Sequence, residues 1–361
     1  MQFVDLRRQY HQYKSRIDLA VQRVLDGAQY INGPEVEELE GILKGYVGAH
    51  AVAVGSGTEA LQMALMALGI GQGDEVITTP FTWISPAEAI ALVGATPVFV
   101  DIEPDTFNLD PSKVAKAITS KTKAIIAVSL FGQMADFKGI TEAAAGLPVI
   151  EDGAQSFGAE QNGIKSGAIT DLAITSFFPA KPFGCYGDGG ALFVRDQEVA
   201  QKMRAIRNHG CKSPYHHEFV GMTGRLDTLQ AAILLAKWPD FERELEARRQ
   251  VAARYDLALS DVCTTPPIRK GNTSTYAQYT IRTAKRQEVA EALAGAQIPY
   301  GIYYAKPLYR QPVFARLGCA EGDFSVTERA CQEVISLPMH PWLSAEEQDR
   351  VIEVVRRVCD H

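Results

Sequence analysis

The chain has 361 residues, 46% of them hydrophobic, and a formal net charge of −7. That length and apolar content allow a large buried core and exclude a disordered chain. The acid excess argues against a nucleic-acid binder, which needs a basic face.

Six cysteines lie scattered, with no CxxC pair and no zinc-finger spacing, the pattern of a reduced, cytoplasmic protein. The N-terminal stretch MQFVDLRRQYHQYKSR is too polar for a signal peptide. No apolar run approaches the length of a membrane span. From about residue 51 to 200, short apolar runs alternate with helix-like segments. Strands are expected at Val76–Thr79, Pro97–Val100, Ala124–Val128, Pro148–Glu151, Leu172–Thr175 and Gly190–Val194. Helices are expected at Thr58–Leu68, Pro86–Val93, Pro111–Ile118 and Phe137–Ala145. Such alternation predicts an α/β domain with a mainly parallel sheet and helices on both faces. Leu226–Leu259 reads as one long helical stretch broken at Pro239. Beyond it, YAQYTIR reads as a strand, and EVAEALAGA and EEQDRVIEVVRRV read as helices, a smaller α+β unit. The boundary is placed near residue 240, give or take about ten residues, giving domains 1–240 and 241–361. The first helices are left free to pack on either.

Ligands of such sheets sit beyond the carboxyl ends of the strands, so the residues just after them carry the chemistry. GSGTEALQMALMAL, from Gly55, places glycines, Ser56 and Thr58 before an amphipathic helix. Free N–H groups at such a turn attract an anion; an ordinary cap by Ser56 or Thr58 explains it too. PVIEDGAQSFGA ends a strand in Glu151-Asp152. A carboxylate there can hold a protonated ring nitrogen, or simply cap a turn. In SFFPAKPFGCYGDGGALF, Lys181 stands among Phe177, Phe178, Pro179 and Phe183. Burial lowers a lysine pKa, and the neutral amine forms Schiff bases with aldehydes. A snorkelling lysine is the plain alternative. The nearby glycines permit tight turns and close backbone approach. Together, an anion turn, a strand-end aspartate and an enclosed lysine match the needs of pyridoxal phosphate. FTWISPAEA supplies Phe81 and Trp83 as candidate rings to cover the cofactor, or as core.

GSGTEAL, GDEVITTPFTW, PVFVDI, IEDGAQSFGA, TSFFPAKPFGCYGDGGA, RNHG, GRLDTLQAAIL and SLPMHP occur in order over nearly the whole chain. With these motifs the sequence resembles the pyridoxal-phosphate-dependent nucleotide-sugar aminotransferases of fold type I, the DegT/DnrJ/EryC type. SFFPAKPFGCYGDGGA, YHH and RLDTLQAAILL carry a closer resemblance, to enzymes acting on UDP-linked 2-acetamido-3-oxo-uronates for cell-surface polysaccharides such as O-antigen. The resemblance implies a large cofactor domain plus a small one, and glutamate as amino donor. It implies that Lys181 carries the cofactor and moves the proton, that Asp152 pairs with the pyridine nitrogen and that Gln155 meets the ring hydroxyl. It gives the phosphate to Gly57, Thr58 and Ser176, and the stacking ring to Trp83. It further implies a homodimer with shared sites, fed by the GMTGRLD loop. There Thr223 replaces a more usual asparagine as the cross-subunit phosphate ligand, and Arg225 suits a sugar carboxylate; a structural ion pair with Asp227 or with a neighbouring chain is the alternative for Arg225. Tyr303 (a histidine in many relatives) and Tyr304 are expected at the sugar, with His217 from the YHH loop. His209, His216 and His217 lack a carboxylate or cysteine at ligand spacing, so no metal is expected. DIEPDTFNLD is read as turn and cap chemistry.

Four rivals stand beside this reading. A 4-keto- or 3-keto-6-deoxy sugar on UDP or dTDP would use the same machinery. A dehydratase of the family would carry histidine in place of Lys181. A non-catalytic cofactor-binding regulator would lack the lysine or aspartate. A plain dinucleotide binder is disfavoured by the absence of GxGxxG at a strand-to-helix turn.

Overall fold

The computed structural model describes residues 1–360. Two N-terminal helices, α1 (Leu6–Gly27) and α2 (Pro34–Val47), precede an alternating region. That region runs β1 (His50–Val54), α3 (Gly57–Ala67), β2 (Glu75–Thr78), α4 (Ser85–Leu92), β3 (Thr96–Phe99), α5 (Pro111–Ala117), β4 (Thr122–Val128), α6 (Phe137–Ala143) and β5 (Val149–Asp152). A small hairpin follows, β6 (Glu160–Gln161) and β7 (Ile164–Lys165), then β8 (Leu172–Ser176), β9 (Gly190–Val194) and α7 (Gln197–Ile206). A second small hairpin, β10 (Cys211–Ser213) and β11 (His216–His217), leads to α8 (Thr228–Lys237) and α9 (Phe241–Leu259). The remainder is β12 (Tyr279–Arg282), α10 (Arg286–Gly295), α11 (Ser325–Glu333), β13 (Val334–Leu337) and α12 (Ala345–Cys359).

Seven strands form one sheet in the order β1-β9-β8-β5-β4-β2-β3. All run parallel except β9, which is antiparallel to both neighbours. This is the mainly parallel α/β sheet that the alternation predicts. Strand residues alternate between two cores. Val52, Val54, Ile174, Leu192 and Val194 pack with α3, α4 and α7 on one face. Ala51, Ala53, Ala173, Ala191 and Phe193 pack with α2, α8 and the start of α9 on the other. The small residues on that second face let α2 lie close to β1.

The long helical stretch breaks where Pro239 demands it. α8 ends at Lys237, residues Trp238–Asp240 form a single 3₁₀ turn, and α9 begins at Phe241. The break keeps a prolyl ring out of a helix interior. α9 then spans two cores: Phe241 and Leu245 join the sheet core, while Val251, Ala252, Tyr255 and Leu259 join a separate cluster with β12, β13, α10 and α12. The expected strand YAQYTIR shrinks to Tyr279–Arg282, which pairs antiparallel with β13.

DIEPDTFNLD carries more than local caps. Asp110 does cap α5, through Ser112 N–H at 3.0 Å. The buried Asp101 instead reaches across the chain. It accepts from Val326 N–H at 3.2 Å, Thr327 N–H at 3.0 Å and Thr327 Oγ1 at 2.8 Å, so it caps α11 over more than two hundred residues.

Candidate active site

The site forms where β1, β2, β4, β5 and β8 end. Ser56 caps α3, its Oγ accepting from Glu59 N–H at 3.1 Å. The N–H groups of Gly57 and Thr58 fall in the helix's first turn, where no intrahelical partner exists. Around that opening stand three hydroxyls. Thr58 Oγ1 and Ser85 Oγ lie 2.7 Å apart, and Ser176 Oγ accepts from Phe178 N–H at 3.2 Å. A methyl on Gly57 would come within 3.0 Å of Ser176 Cβ, and one on Gly190 within 2.7 Å of the Ser56 carbonyl carbon. The glycines at 184, 187, 189 and 190 all have ordinary negative-side φ. Space for close backbone approach requires them, not turn conformation.

Asp152 is the last residue of β5, one place further than the expected strand, and is buried. Its Oδ1 accepts from Ala154 N–H at 3.0 Å. Burial raises its pKa, opposed by that N–H and by the charge of Lys181. Lys181 follows β8 on a loop closed by Phe177 N–H to Gly189 O (2.8 Å) and Cys185 N–H to Phe177 O (2.7 Å). Enclosure pushes the Lys181 amine down to about 8, with Asp152 acting the other way. An amine so placed is available in its neutral form near physiological pH. The adjacent Glu151 faces away from the cavity. Ser166 Oγ (2.7 Å), Gly167 N–H (2.8 Å) and Ser129 Oγ (3.4 Å) donate to it, and burial pushes it up to about 7.

One cavity of about 430 Å³ gathers Gly57, Thr58, Trp83, Asp152, Gln155, Ser176, Lys181, Tyr303 and Tyr304. Gln155 is anchored, its Oε1 accepting from Phe131 N–H at 2.7 Å, and it lines the cavity beside Tyr304. Trp83 sits at the edge, 63% exposed, beside Phe178 at 51%. Phe81 is core, wholly buried against Phe107, Phe131 and Tyr304. Burial raises the pKa of both Tyr303 and Tyr304, so both are phenols at neutral pH.

Three expected site residues lie outside this cavity. Thr223 Oγ1 meets His209 Nε2 at 2.8 Å, and Arg225 Nη1 donates to Asn208 Oδ1 at 2.8 Å. The pairing of Arg225 is thus with an amide rather than with Asp227, and its Nε is buried without a partner. His217 is exposed on β11, its Nδ1 2.9 Å from the His209 carbonyl. Among the described residues no group of three or more His, Cys, Asp or Glu is clustered to hold a metal.

Several lining residues escape sequence reading, Ser85, Asp188 and Gln278 among them. Ser85 opens α4 within FTWISPAEA, where a Ser-Pro pair signals a helix start. Asp188 lies in the GDGG run. Gln278 comes from the C-terminal unit with its Oε1 buried and unpartnered, and no local pattern marks it.

The donor set fits pyridoxal phosphate. An enclosed amine suits its aldehyde, a buried carboxylate its ring nitrogen, and a helix N-terminus with three hydroxyls its phosphate. Residues 11–356 match the family described as "DegT/DnrJ/EryC1/StrS aminotransferase family". A relative from Pseudomonas aeruginosa, UDP-2-acetamido-2-deoxy-3-oxo-D-glucuronate aminotransferase, is 51% identical over 95% of this chain and 96% of its own. An aminotransferase structure from Brucella abortus, of the same DegT/DnrJ/EryC1/StrS description, superposes with a TM-score of 0.96 at 42% identity, covering 100% of both chains. A Bacillus subtilis structure, NtdA with bound cofactor PMP, gives a TM-score of 0.90 at 29% identity, covering 97% of this chain and 82% of that one.

Proposed function

The chain belongs to the DegT/DnrJ/EryC1/StrS aminotransferase family, and from that premise we propose that it transfers an amino group from glutamate to the keto group of a UDP-2-acetamido-3-oxo-uronate, for a cell-surface polysaccharide such as O-antigen. It is a pyridoxal-phosphate-dependent nucleotide-sugar aminotransferase; the sugar, the donor, the residue roles and the assembly are our reading. The observation that carries it is the meeting of Lys181, Asp152 and the α3 N-terminus in one cavity. The substrate assignment is supported by the Pseudomonas aeruginosa relative.

Pyridoxal phosphate supplies an electron sink and a carbon that carries the amino group between donor and acceptor. Lys181 would hold it through its side-chain amine, and that amine, when free and neutral, would move the proton of the donor's α-carbon. Asp152 holds the pyridine nitrogen protonated by a charge-assisted hydrogen bond. The Gly57 and Thr58 N–H groups, with Thr58, Ser85 and Ser176 hydroxyls, grip the phosphate. Trp83 covers one ring face, and the Gln155 amide meets the ring hydroxyl. Tyr303, Tyr304 and Gln278 face the sugar. The division near residue 240 puts these last two tyrosines and Gln278 in a second domain, so substrate bridges both domains.

Thr223, Arg225 and His217 serve the neighbouring subunit's site in a homodimer, which accounts for their position outside their own cavity. The guanidinium of Arg225 then binds the sugar carboxylate. Mixing Lys181→Ala and Arg225→Met chains tests this. A shared site restores activity at roughly a quarter of all sites, and unshared sites stay dead. The substrate is tested by incubation with glutamate and a panel of UDP- and dTDP-keto sugars, with identification of the aminated product. Reaction with 6-deoxy sugars alone overturns both the uronate and the role of Arg225. Lys181→Ala should retain cofactor binding and lose turnover; normal turnover removes the whole reading.

A further inference from the structure

The loop that carries Lys181 is gripped from outside by one helix face. On α8, Gln230 and Lys237 stand seven residues apart, two turns on the same side. Gln230 Oε1 accepts from Tyr186 N–H at 2.9 Å, and Lys237 Nζ donates to the Gly184 carbonyl. Both therefore hold the three-residue segment Gly184–Tyr186. That segment is tightly joined to the lysine itself. A methyl on Gly184 would lie 2.5 Å from Pro179 O and 2.6 Å from Phe178 O. Lys181 N–H donates to that same Phe178 carbonyl at 2.8 Å. Cys185 Sγ adds bonds to Phe177 O and Gly187 O, each 3.1 Å. A shift of Gly184 therefore moves the base from which Lys181 projects.

Lys237 is an expensive way to make one hydrogen bond. It is 2% exposed, with its Nζ 5.3 Å from the centre of the Tyr186 ring. Burial pushes its amine down to about 8, opposed by the charge of Glu244 on α9. Glu244 is itself buried, accepts from Gln9 on α1 at 3.3 Å and faces Arg248 as well. An uncompensated buried ammonium would be strongly unfavourable, and here α1, α8 and α9 supply the compensation. Local stability alone would be met more cheaply by an apolar side chain of the same length.

We propose that Lys237 is a positioning residue: through the Gly184 carbonyl it fixes the loop that aims the Lys181 amine beside Asp152. The inference rests on the role proposed for Lys181. The test uses the full-length protein loaded with pyridoxal phosphate, comparing wild type, Lys237→Met, Lys237→Arg, Gln230→Leu and Lys181→Ala. Cofactor dissociation is read from the visible band, alongside kcat, the donor KM and Tm. A misplacement of about 1 Å costs on the order of a hundredfold. Lys237→Met should therefore lower kcat by about tenfold to a hundredfold and weaken cofactor binding about tenfold, with donor KM within about threefold. Lys237→Arg keeps the charge and the donor and should return kcat to within about tenfold. Gln230→Leu should shift both readouts the same way by less. A Lys237→Met protein with reduced Tm but wild-type kcat and cofactor affinity overturns the proposal. If Lys237→Met does not fold, Gln230→Leu decides: unchanged kcat and affinity overturn it too. Turnover by Lys181→Ala would instead strike the underlying assignment, whatever Lys237 does.

Discussion

Replacing Lys181 with methionine should stabilise the cofactor-free protein at neutral pH. The amine is pushed from 10.5 down to about 8, chiefly by burial. At about 1.4 kcal/mol per pH unit, its charged form carries a penalty of roughly 3 kcal/mol in the folded state. Methionine fills similar space without the charge, but Asp152 loses its nearby cation. The net gain should be about 1–2 kcal/mol, or roughly 1–4 °C in Tm. Below pH 8 both folded and unfolded wild type hold the proton, and the full penalty applies. Between 8 and 10.5 the folded state sheds its proton while the unfolded chain keeps it, so wild type regains stability. The gap between variant and wild type should therefore shrink as pH rises through that window. Thermal unfolding of both proteins without cofactor, from pH 6.5 to 10, measures it. A variant less stable than wild type at pH 7, or a gap indifferent to pH, refutes the enclosure argument.

Gly190→Ala drives a methyl to 2.7 Å from the Ser56 carbonyl carbon and 2.8 Å from Gly57 N. Backbone cannot step aside as a side chain would, so a loss of about 2–3 kcal/mol is expected, with weaker cofactor retention on dialysis. Gly45→Ala in α2 meets nothing within 4 Å and should gain about 0.5–1 kcal/mol by chemical denaturation. Burial pushes Glu151 up to about 7, so wild type loses stability as pH climbs from 4.5 to 7. Glu151→Gln lacks that titration and should gain on wild type by about 1–3 kcal/mol across the same window; parallel unfolding curves at pH 5 and 8 would remove the cause. Asp101→Ala strips α11 of its cap donors' acceptor and should cost about 3 kcal/mol in urea unfolding.

Local patterns made part of the cavity lining legible. Asp152, Ser176, Gly57 and Thr58 sit where a strand or helix ends, and Lys181 lies on the loop just beyond one; such ends have their own signatures. Strand β1 escaped because HAVAV mixes alanine, a weak strand former, with only two valines. Helix α8 starts at Thr228 rather than Leu226, since Arg225 bridges to Val54 and Asp227 to Ile31 before the helix can begin. Gln278 and the link from Asp101 to α11 depend on which segments meet in space, and nothing within a dozen residues of either announces the meeting. Of the lysine's own surroundings, its aromatic neighbours were plain in the sequence, but the grip of Gln230 and Lys237 was not. Their seven-residue spacing looked like any buried helix face.

Helix α8 has a consequence for how such an enzyme can diversify. Its first turn follows directly on the loop bearing Thr223 and Arg225, and its last residue holds the lysine loop. With the roles proposed above, side chains in the 221–227 loop can be exchanged to suit a new sugar without touching the Lys181 amine. Chain length cannot change so freely. One residue inserted within α8 would turn Lys237 by about 100° away from Gln230 and advance it about 1.5 Å. Substrate preference is thus open to substitution but closed to insertion, and new specificities should arise here by point change at fixed length.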